Sequence, residues 1–118
     1  MDRKSLQEYI TKTYGTRAEY PWEKYPSFSV FRHVVNKKWF AVVMKIPASK
    51  LGIENQEFIE IINLKVPPYI IGGILCESFI FPAYHMNKNN WISLAFQDCK
   101  DTEKLKTFIE MSYNLTKK

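Results

Sequence analysis

Two apolar runs separated by a short polar connector constrain the fold of this 118-residue chain more than any other feature. Residues 27–34 and 39–46 are dense in Phe, Val, Trp, Ile and Met, side chains that favour β-strands. Residues 35–38 between them have the asparagine and polar content of a tight turn. We therefore predict an antiparallel β-hairpin. Alternation on its second strand places Phe40, Val42, Met44 and Ile46 on one face and Trp39, Ala41, Val43 and Lys45 on the other.

The remaining segments predict further strands and two terminal helices. Residues 58–65 are rich in β-branched side chains and favour a third strand, residues 79–81 a brief extended piece, and residues 91–96 a last strand. Residues 2–14 have apolar side chains at helical spacing and end before Gly15, a position for a left-handed cap. Asp101 is placed to cap a helix that runs to about residue 115, and residues 67–76 favour a short helix.

Strands that follow one another through turns indicate an antiparallel sheet, because parallel strands require long crossover connections. We predict an α+β fold: a twisted antiparallel sheet with the N-terminal and C-terminal helices packed on it. At this length the chain is expected to form a single domain over residues 1–118. A composition that is 46% hydrophobic and 25% charged argues against disorder.

Several functional classes find no support in the sequence. The first residues carry charges and no apolar core, and no apolar stretch approaches the roughly 18 residues that a membrane helix needs, so we expect a cytoplasmic protein with no membrane partner. Cys76 and Cys99 lack metal or redox spacing and are expected to be reduced and partly buried. His33 and His85, the only histidines, have no Cys, Asp or Glu at ligand spacing. We therefore expect no enzyme activity, no catalytic residues, no metal and no cofactor.

Positive charge is concentrated in one third of the chain. The net charge is +5, and no acidic residue occurs between Lys24 and Ile53. Local basicity of this kind is expected of a surface that binds a polyanion such as DNA, although lysines on a hairpin also serve simply as solubilising charges. The candidate nucleic-acid contacts, on the hairpin and beyond it, are Arg32, Lys37, Lys38, Lys45, Lys50 and Lys88.

A second candidate surface is the polar segment between the last two strands, residues 82–91. Loops of such composition often carry recognition. Tyr84 or Trp91 could stack on a ligand, Asn87 could form paired hydrogen bonds, and His85 and Lys88 could meet polar or anionic groups. The structural alternative is that the asparagines cap turns and the histidine lies beneath the sheet with its polar atoms satisfied.

The chain also resembles the MmcQ/YjbR-like family of small bacterial proteins over nearly its full length. The motifs that carry the resemblance are Tyr14-Gly15, Pro21-Trp22, Val30-Phe31-Arg32, Asn36, Lys38-Trp39-Phe40-Ala41, Leu51-Gly52, Ile61-Ile62-Asn63-Leu64-Lys65, Pro82-Ala83-Tyr84-His85-Met86-Asn87-Lys88, Trp91-Ile92 and Ser112-Tyr113-Asn114-Leu115. The resemblance implies a compact α+β domain similar in outline to secretion-chaperone-like and frataxin-like domains. It also implies a DNA-binding role of a double-wing type.

These observations lead to two hypotheses of different classes. The first is a small protein that contacts the backbone of double-stranded DNA through the basic hairpin surface. The alternative is a protein-interaction or small-ligand-binding module that uses the loop from Tyr84 to Trp91 and performs no catalysis. An enzyme of unknown reaction, centred on His85, is a distant third.

Overall fold

The computed structural model describes all 118 residues. The chain begins with α1 (Arg3–Tyr14), which is capped at its start by the Asp2 side chain and at its end by Gly15 in the left-handed conformation, φ 67°. Asp2 accepts a hydrogen bond from the backbone N–H of Ser5 at 2.8 Å. Both ends therefore satisfy backbone groups that a helix terminus would otherwise leave unpaired. Leu6 and Ile10, one turn apart, are fully buried.

The predicted hairpin forms from β1 (Ser29–Arg32) and β2 (Trp39–Pro47), which pair antiparallel. Its first strand is shorter than residues 27–34 because residues 27 and 28 belong to the preceding loop and residues 33 and 34 to the connection that follows. Pairing also shifts by one position: Phe31 faces Ala41, whereas Arg32 faces Trp39, so Phe40 has no partner. Phe40 is the extra residue of a β-bulge.

This bulge corrects the predicted alternation on β2. Phe40 lies in the same buried cluster as Ala41 and Val43, while Trp39 lies with Val42 and Met44 on the opposite face. An added residue interrupts the period of two, so everything before it changes face. The prediction that grouped Phe40 with Val42 was therefore wrong, as was the one that grouped Trp39 with Ala41.

Three more strands complete a five-stranded sheet of order β1-β2-β3-β5-β4. They are β3 (Phe58–Lys65), β4 (Ile80–Pro82) and β5 (Trp91–Leu94), and every neighbouring pair is antiparallel. β5 is two residues shorter than predicted, and the short helix predicted over residues 67–76 is a 3₁₀ turn followed by the single turn α2 (Ile71–Ile74). The predicted α+β class is confirmed.

Helices cover one face of the sheet. The closing helix α3 (Thr102–Thr116), capped by Asp101, packs with α1 over the main core, which contains Phe31, Phe40, Leu64 and Phe96 among its fully buried side chains. Ser112 ties α3 to the sheet, because its hydroxyl accepts a hydrogen bond from the backbone N–H of Lys65 at 2.8 Å. No helix is long and apolar enough to span a membrane.

The opposite face of the sheet carries a smaller apolar cluster covered by loops instead of helices. Its buried members are Val30, Val42, Met44, Ile46 and Ile61. The loop before β1 supplies Trp22 and Phe28, and the loop between β4 and β5 supplies Tyr84. This loop-covered face is where the structure leaves a cavity.

Candidate functional site

A pocket of about 240 Å³ opens between the two loops on the helix-free face of the sheet, and we refer to it as the aromatic pocket. Its lining is dominated by rings and contains no carboxylate. The lining residues are Trp22, Tyr25, Phe28, Trp39, Val42, Met44, Asn63, Tyr84, His85 and Met86. A concave site with apolar walls and few polar groups has the usual form of a small-molecule site, at a smaller volume than drug-sized ligands occupy.

The loop before β1 provides one wall through packed aromatic rings. Tyr25 and Phe28 stack with ring centroids 4.8 Å apart, and Trp22 meets Phe28 edge-on at 6.3 Å. Consecutive turns shape this loop, since Trp22 accepts a hydrogen bond from the N–H of Tyr25, and Tyr25 accepts one from the N–H of Phe28. Offset and edge-on ring pairs are favourable beyond their buried area, so the wall is formed before any ligand arrives.

Trp39 joins this wall from the sheet. Its ring lies 5.6 Å from that of Trp22 at nearly a right angle, and 37% of the residue remains exposed. The bulge at Phe40 directs Trp39 to this face, as described above. An indole held on a strand and braced by a second indole presents a firm, partly open surface for stacking.

The opposite wall is held by a buried polar network beneath the β4–β5 loop. Asn63, fully buried on β3, donates from Nδ2 to the backbone carbonyl of Tyr84 at 2.8 Å. The hydroxyl of Ser93 on β5 accepts from the backbone N–H of Tyr84 at 2.8 Å and donates to Oδ1 of Asn63. Both backbone groups of Tyr84 are thus fixed by side chains of the sheet, which positions the loop over the pocket.

His85 sits at the rim in a costly backbone conformation. Its φ is +58°, in the left-handed region, and the residue is exposed, with its ring 4.0 Å from that of Tyr84. A side chain other than glycine costs roughly 1–2 kcal/mol there, so the network around Tyr84 has to hold the loop against this strain. His85 is therefore placed beside the opening, not beneath the sheet.

The other predicted loop residues divide by role. Asn87 caps the following turn: its Oδ1 accepts from the N–H of Asn89 at 2.9 Å and its carbonyl accepts from Asn90 and Trp91. Trp91 is half-buried on β5, opposite Lys65, and does not line the pocket. Lys88 is exposed two residues beyond Met86. Of the predicted binding loop, only Tyr84 and His85 reach the pocket, with Met86 added.

The basic residues predicted for nucleic acid do not form one patch. Arg32 is paired with Glu19, with Nε 3.1 Å from Oε2 and a second contact from Nη2, and this guanidinium holds the pKa of Glu19 below its ordinary value. Lys45 stands opposite Glu60 in the strand register and shares the helix-covered face with Val43. Lys50 lies in a 3₁₀ turn beyond the far end of β2.

Lys37 and Lys38 lie together at the other end of the sheet, roughly 20 Å from Lys45 at about 3.3 Å per strand residue. Asn36 anchors their turn by donating to the carbonyl of Thr116 at 3.0 Å, and the Lys38 ammonium donates to the carbonyl of Lys118. The four ion pairs of the protein involve Arg3, Arg32, Lys104 and Lys106, so Lys37 and Lys38 have no carboxylate partner. The β4–β5 loop with Lys88 lies at this same end.

His33 is buried away from both surfaces. Its Nε2 lies 2.7 Å from the hydroxyl of Thr116, and its ring packs on Tyr113 at 4.2 Å and Phe40 at 5.2 Å. Burial lowers the pKa of this imidazole, with Lys117 and Lys38 adding to the effect. His33 joins the hairpin to α3 and has the surroundings of a structural residue.

Sequence reasoning missed the aromatic wall. Trp22 and Tyr25 lie before the predicted hairpin, where no element was assigned, Phe28 was placed in its predicted first strand, and Trp39 was assigned to the wrong face of β2. The available signal was density: residues 20–28 contain four aromatic side chains without strand or helix periodicity. Rings in an irregular segment of this kind must pack on something outside it, and here they pack on the uncovered face of the sheet.

Comparisons with known proteins show relatives that match nearly the whole chain. The YjbR family model matches residues 11–115. An uncharacterized Bacillus subtilis (strain 168) protein, YyaQ, is 38% identical over 117 residues, covering 99% of both chains.

Solved structures agree with this similarity. The crystal and solution NMR structures of a Pseudomonas syringae protein are 40% identical to the chain, with TM-scores of 0.96 and 0.88; both comparisons cover 99% of this chain, and 100% and 94% of theirs. A Deinococcus radiodurans protein is 19% identical with a TM-score of 0.69, covering 95% of this chain and 75% of that one, and shares the fold.

Proposed function

Because this chain belongs to the YjbR family and carries a ring-lined pocket on the loop-covered face of its sheet, we propose that it is a non-catalytic module that binds a small flat ligand there. The observation that carries the proposal is the aromatic pocket itself, with its two independently braced walls. The sequence had suggested a ligand module that uses the loop from Tyr84 to Trp91. In the proposal, only Tyr84, His85 and Met86 of that loop contact the ligand, and the other contacts come from rings outside the loop.

The size and lining of the pocket support a ligand of one or two fused rings. A dry cavity of about 150 Å³ holds benzene, and drug-sized ligands take about 300 Å³ or more. The aromatic pocket, at about 240 Å³, lies between these limits. Its floor, formed by Val42 and Met44, is apolar and almost fully buried, so a flat apolar face fits there better than a strongly hydrated group.

The absence of convergent chemistry in the lining supports binding over catalysis. His85, Tyr25 and Tyr84 are the lining side chains that can act as an acid or base, but the His85 ring forms no hydrogen bond with either phenol, and no carboxylate, cysteine or serine lines the pocket. General acid–base or nucleophilic chemistry needs a second group within hydrogen-bond reach to activate or orient the first. A lone exposed imidazole is better suited to contacting a ligand than to transforming it.

Binding of a simple ring compound tests this proposal. Indole titrated into the protein should shift the side-chain N–H resonances of Trp22 and Trp39 and should raise the melting temperature. A ligand at about ten times its Kd adds about 1.4 kcal/mol to the free energy of unfolding. Trp39→Ala should weaken the binding several-fold, whereas Tyr69→Ala, which removes an 88% exposed ring outside the pocket, should leave it unchanged.

Backbone amide chemical shifts identify the location of the binding site independently of the melting temperature. Perturbations confined to the Trp22 to Phe28 loop, β2 and the residues around Tyr84 support the proposal. If no ring compound perturbs these residues at millimolar concentration, or if Tyr69→Ala weakens binding as much as Trp39→Ala, the aromatic pocket is not a ligand site.

Contact with duplex DNA is the second candidate function, favoured by Lys37 and Lys38 at one end of the sheet, neither of which pairs with an Asp or Glu side chain. Affinity for a duplex should fall steeply with salt and drop when both lysines become glutamate, because phosphate neutralisation dominates such binding. Lys45→Glu with Lys50→Glu makes the same charge change at the opposite end and serves as the control. Equal losses in the two variants would indicate only long-range attraction by net charge.

A further inference from the structure

Resting on the proposed function, we infer that the aromatic pocket takes an unpaired nucleotide: its base enters between the rings while its phosphate meets lysines around the opening. This assigns a ligand class that combines a flat heteroaromatic ring with an anion.

The first step is that the rings present stacking surfaces. Tyr25 is 53% exposed and Trp39 is 37% exposed, although both belong to the packed wall described above. Every base has a π face, so stacking on such rings is tolerant of sequence, and it is available only to a base that is not paired in a duplex. Proteins that bind single strands on a β-sheet use exposed rings on its open face in the same way.

The second step is that lysines neighbour the lining residues in the segments that carry them. Lys24 lies between Trp22 and Tyr25 in the loop before β1, and Lys88 lies two residues beyond Met86 in the loop between β4 and β5; both are exposed. Lys65 follows Asn63 by two positions on β3 and therefore shares the face of the sheet on which the pocket lies. None of these three lysines takes part in an ion pair.

The third step is charge selection by the lining itself. No carboxylate lines the aromatic pocket, which disfavours a cationic ligand even though an aromatic cage alone can attract one. The net charge of +5 reinforces attraction of an anion at a distance. A ring compound that carries phosphate satisfies both the apolar interior and the basic surroundings.

A ligand series separates the contributions of base and phosphate. We would measure Kd by tryptophan fluorescence for thymidine, thymidine monophosphate, an eight-residue single strand of thymidylate, an abasic strand of equal length, and a hairpin duplex of eight base pairs. The expected order of affinity is single strand above monophosphate above thymidine. The single strand should exceed both the abasic strand and the duplex by about tenfold or more, since one stacked base contributes about that factor.

Two variants with equal charge change test the lysines. Lys24→Gln/Lys65→Gln/Lys88→Gln should weaken single-strand binding and reduce the slope of log Kd against log salt by about 2, at about 0.7 per phosphate contact. Lys12→Gln/Lys45→Gln/Lys50→Gln removes three lysines elsewhere and should change the slope little. The Kd values of thymidine monophosphate and of the single strand show whether the pocket prefers a free nucleotide or a nucleotide within a strand.

Several outcomes would overturn the inference. If thymidine binds as tightly as its monophosphate, the lysines contribute nothing and the ligand is a neutral ring, which leaves the proposed function intact. If the abasic strand binds as tightly as the thymidylate strand, or the duplex binds more tightly, the base does not enter the pocket. If indole also fails to bind, the proposed function itself is wrong.

Discussion

At the scale of single residues, two histidines in one small domain have opposite surroundings. His33 is buried between the hairpin and α3, hydrogen-bonded to Thr116, whereas His85 is exposed at the rim of the aromatic pocket with a positive φ. The sequence grouped them as the only candidates for metal or acid–base chemistry. The environment of the first indicates a packing role, and the second is the one that the proposed function uses as a ligand contact.

Burial of His33 predicts a pH-dependent stability. Its pKa is lowered in the folded state, so the unfolded chain binds the proton more readily, and stability present above the ordinary pKa of about 6.5 is lost as the pH falls below it. Urea denaturation between about pH 7.5 and pH 5 should show this decline. His33→Gln, which does not titrate, should flatten the profile whatever its own stability, and an unchanged slope would contradict the assignment.

The positive φ of His85 predicts a separation of stability from binding. His85→Asn places a residue that tolerates the left-handed region at this position, so the free energy of unfolding should stay the same or rise by up to about 1 kcal/mol. Ring binding in the aromatic pocket should weaken in the same variant, because one wall loses its imidazole. Loss of stability together with binding would mean that the imidazole is needed for folding.

At the scale of elements, strands β3 and β5 act together on a loop that neither contains. Asn63 and Ser93 face each other in the register and hold the backbone of Tyr84 from both sides. A buried amide and a buried hydroxyl would destabilise the fold if they had no hydrogen-bond partners. Here Asn63 and Ser93 bond each other and the backbone of Tyr84.

A double-mutant cycle measures this coupling. Asn63→Ala and Ser93→Ala should each destabilise by about 1–3 kcal/mol, because each leaves a buried backbone group of Tyr84 without its partner. The double variant should lose about 0.5 kcal/mol or more less unfolding free energy than the sum of the two single losses, as expected for members of one network. Additive losses would contradict the coupling of Asn63 and Ser93. Urea denaturation gives the energies, and indole affinity shows whether the loop still forms a wall.

At the scale of the whole molecule, the reactivity of the two cysteines distinguishes the native surface from the unfolding of the core. Cys76 is exposed, contrary to the expectation that both thiols are partly buried, while Cys99 lies in the main core with a pKa raised by burial. A thiol reagent should modify Cys76 rapidly in the native state. In a Cys76→Ser background, modification of Cys99 should be slow and should accelerate with urea in parallel with global unfolding. Rapid native labelling of Cys99 would indicate a local opening of the core.

The fold could largely be predicted from the sequence, but the site could not. Strand and helix positions follow from short-range periodicity and caps, as the agreement at Gly15 and Asp101 illustrates. The aromatic pocket depends on tertiary placement. The rings of the loop before β1, the indole of Trp39 and the residues around Tyr84, 45 positions after Trp39, meet only after the sheet forms. The proposed basic surface failed as a single patch for the related reason that β2 carries its lysines to opposite ends.

The bulge at Phe40 has an evolutionary consequence. A deletion of the Phe40 codon would place Trp39 directly before Ala41, whose side chain points to the helix-covered face, so the indole would still point to the pocket face while the main core lost a fully buried ring. Relatives could therefore lack the bulge and still keep this tryptophan in the cavity. When homologous chains are compared for a shared role, a gap at this column does not by itself indicate loss of the site.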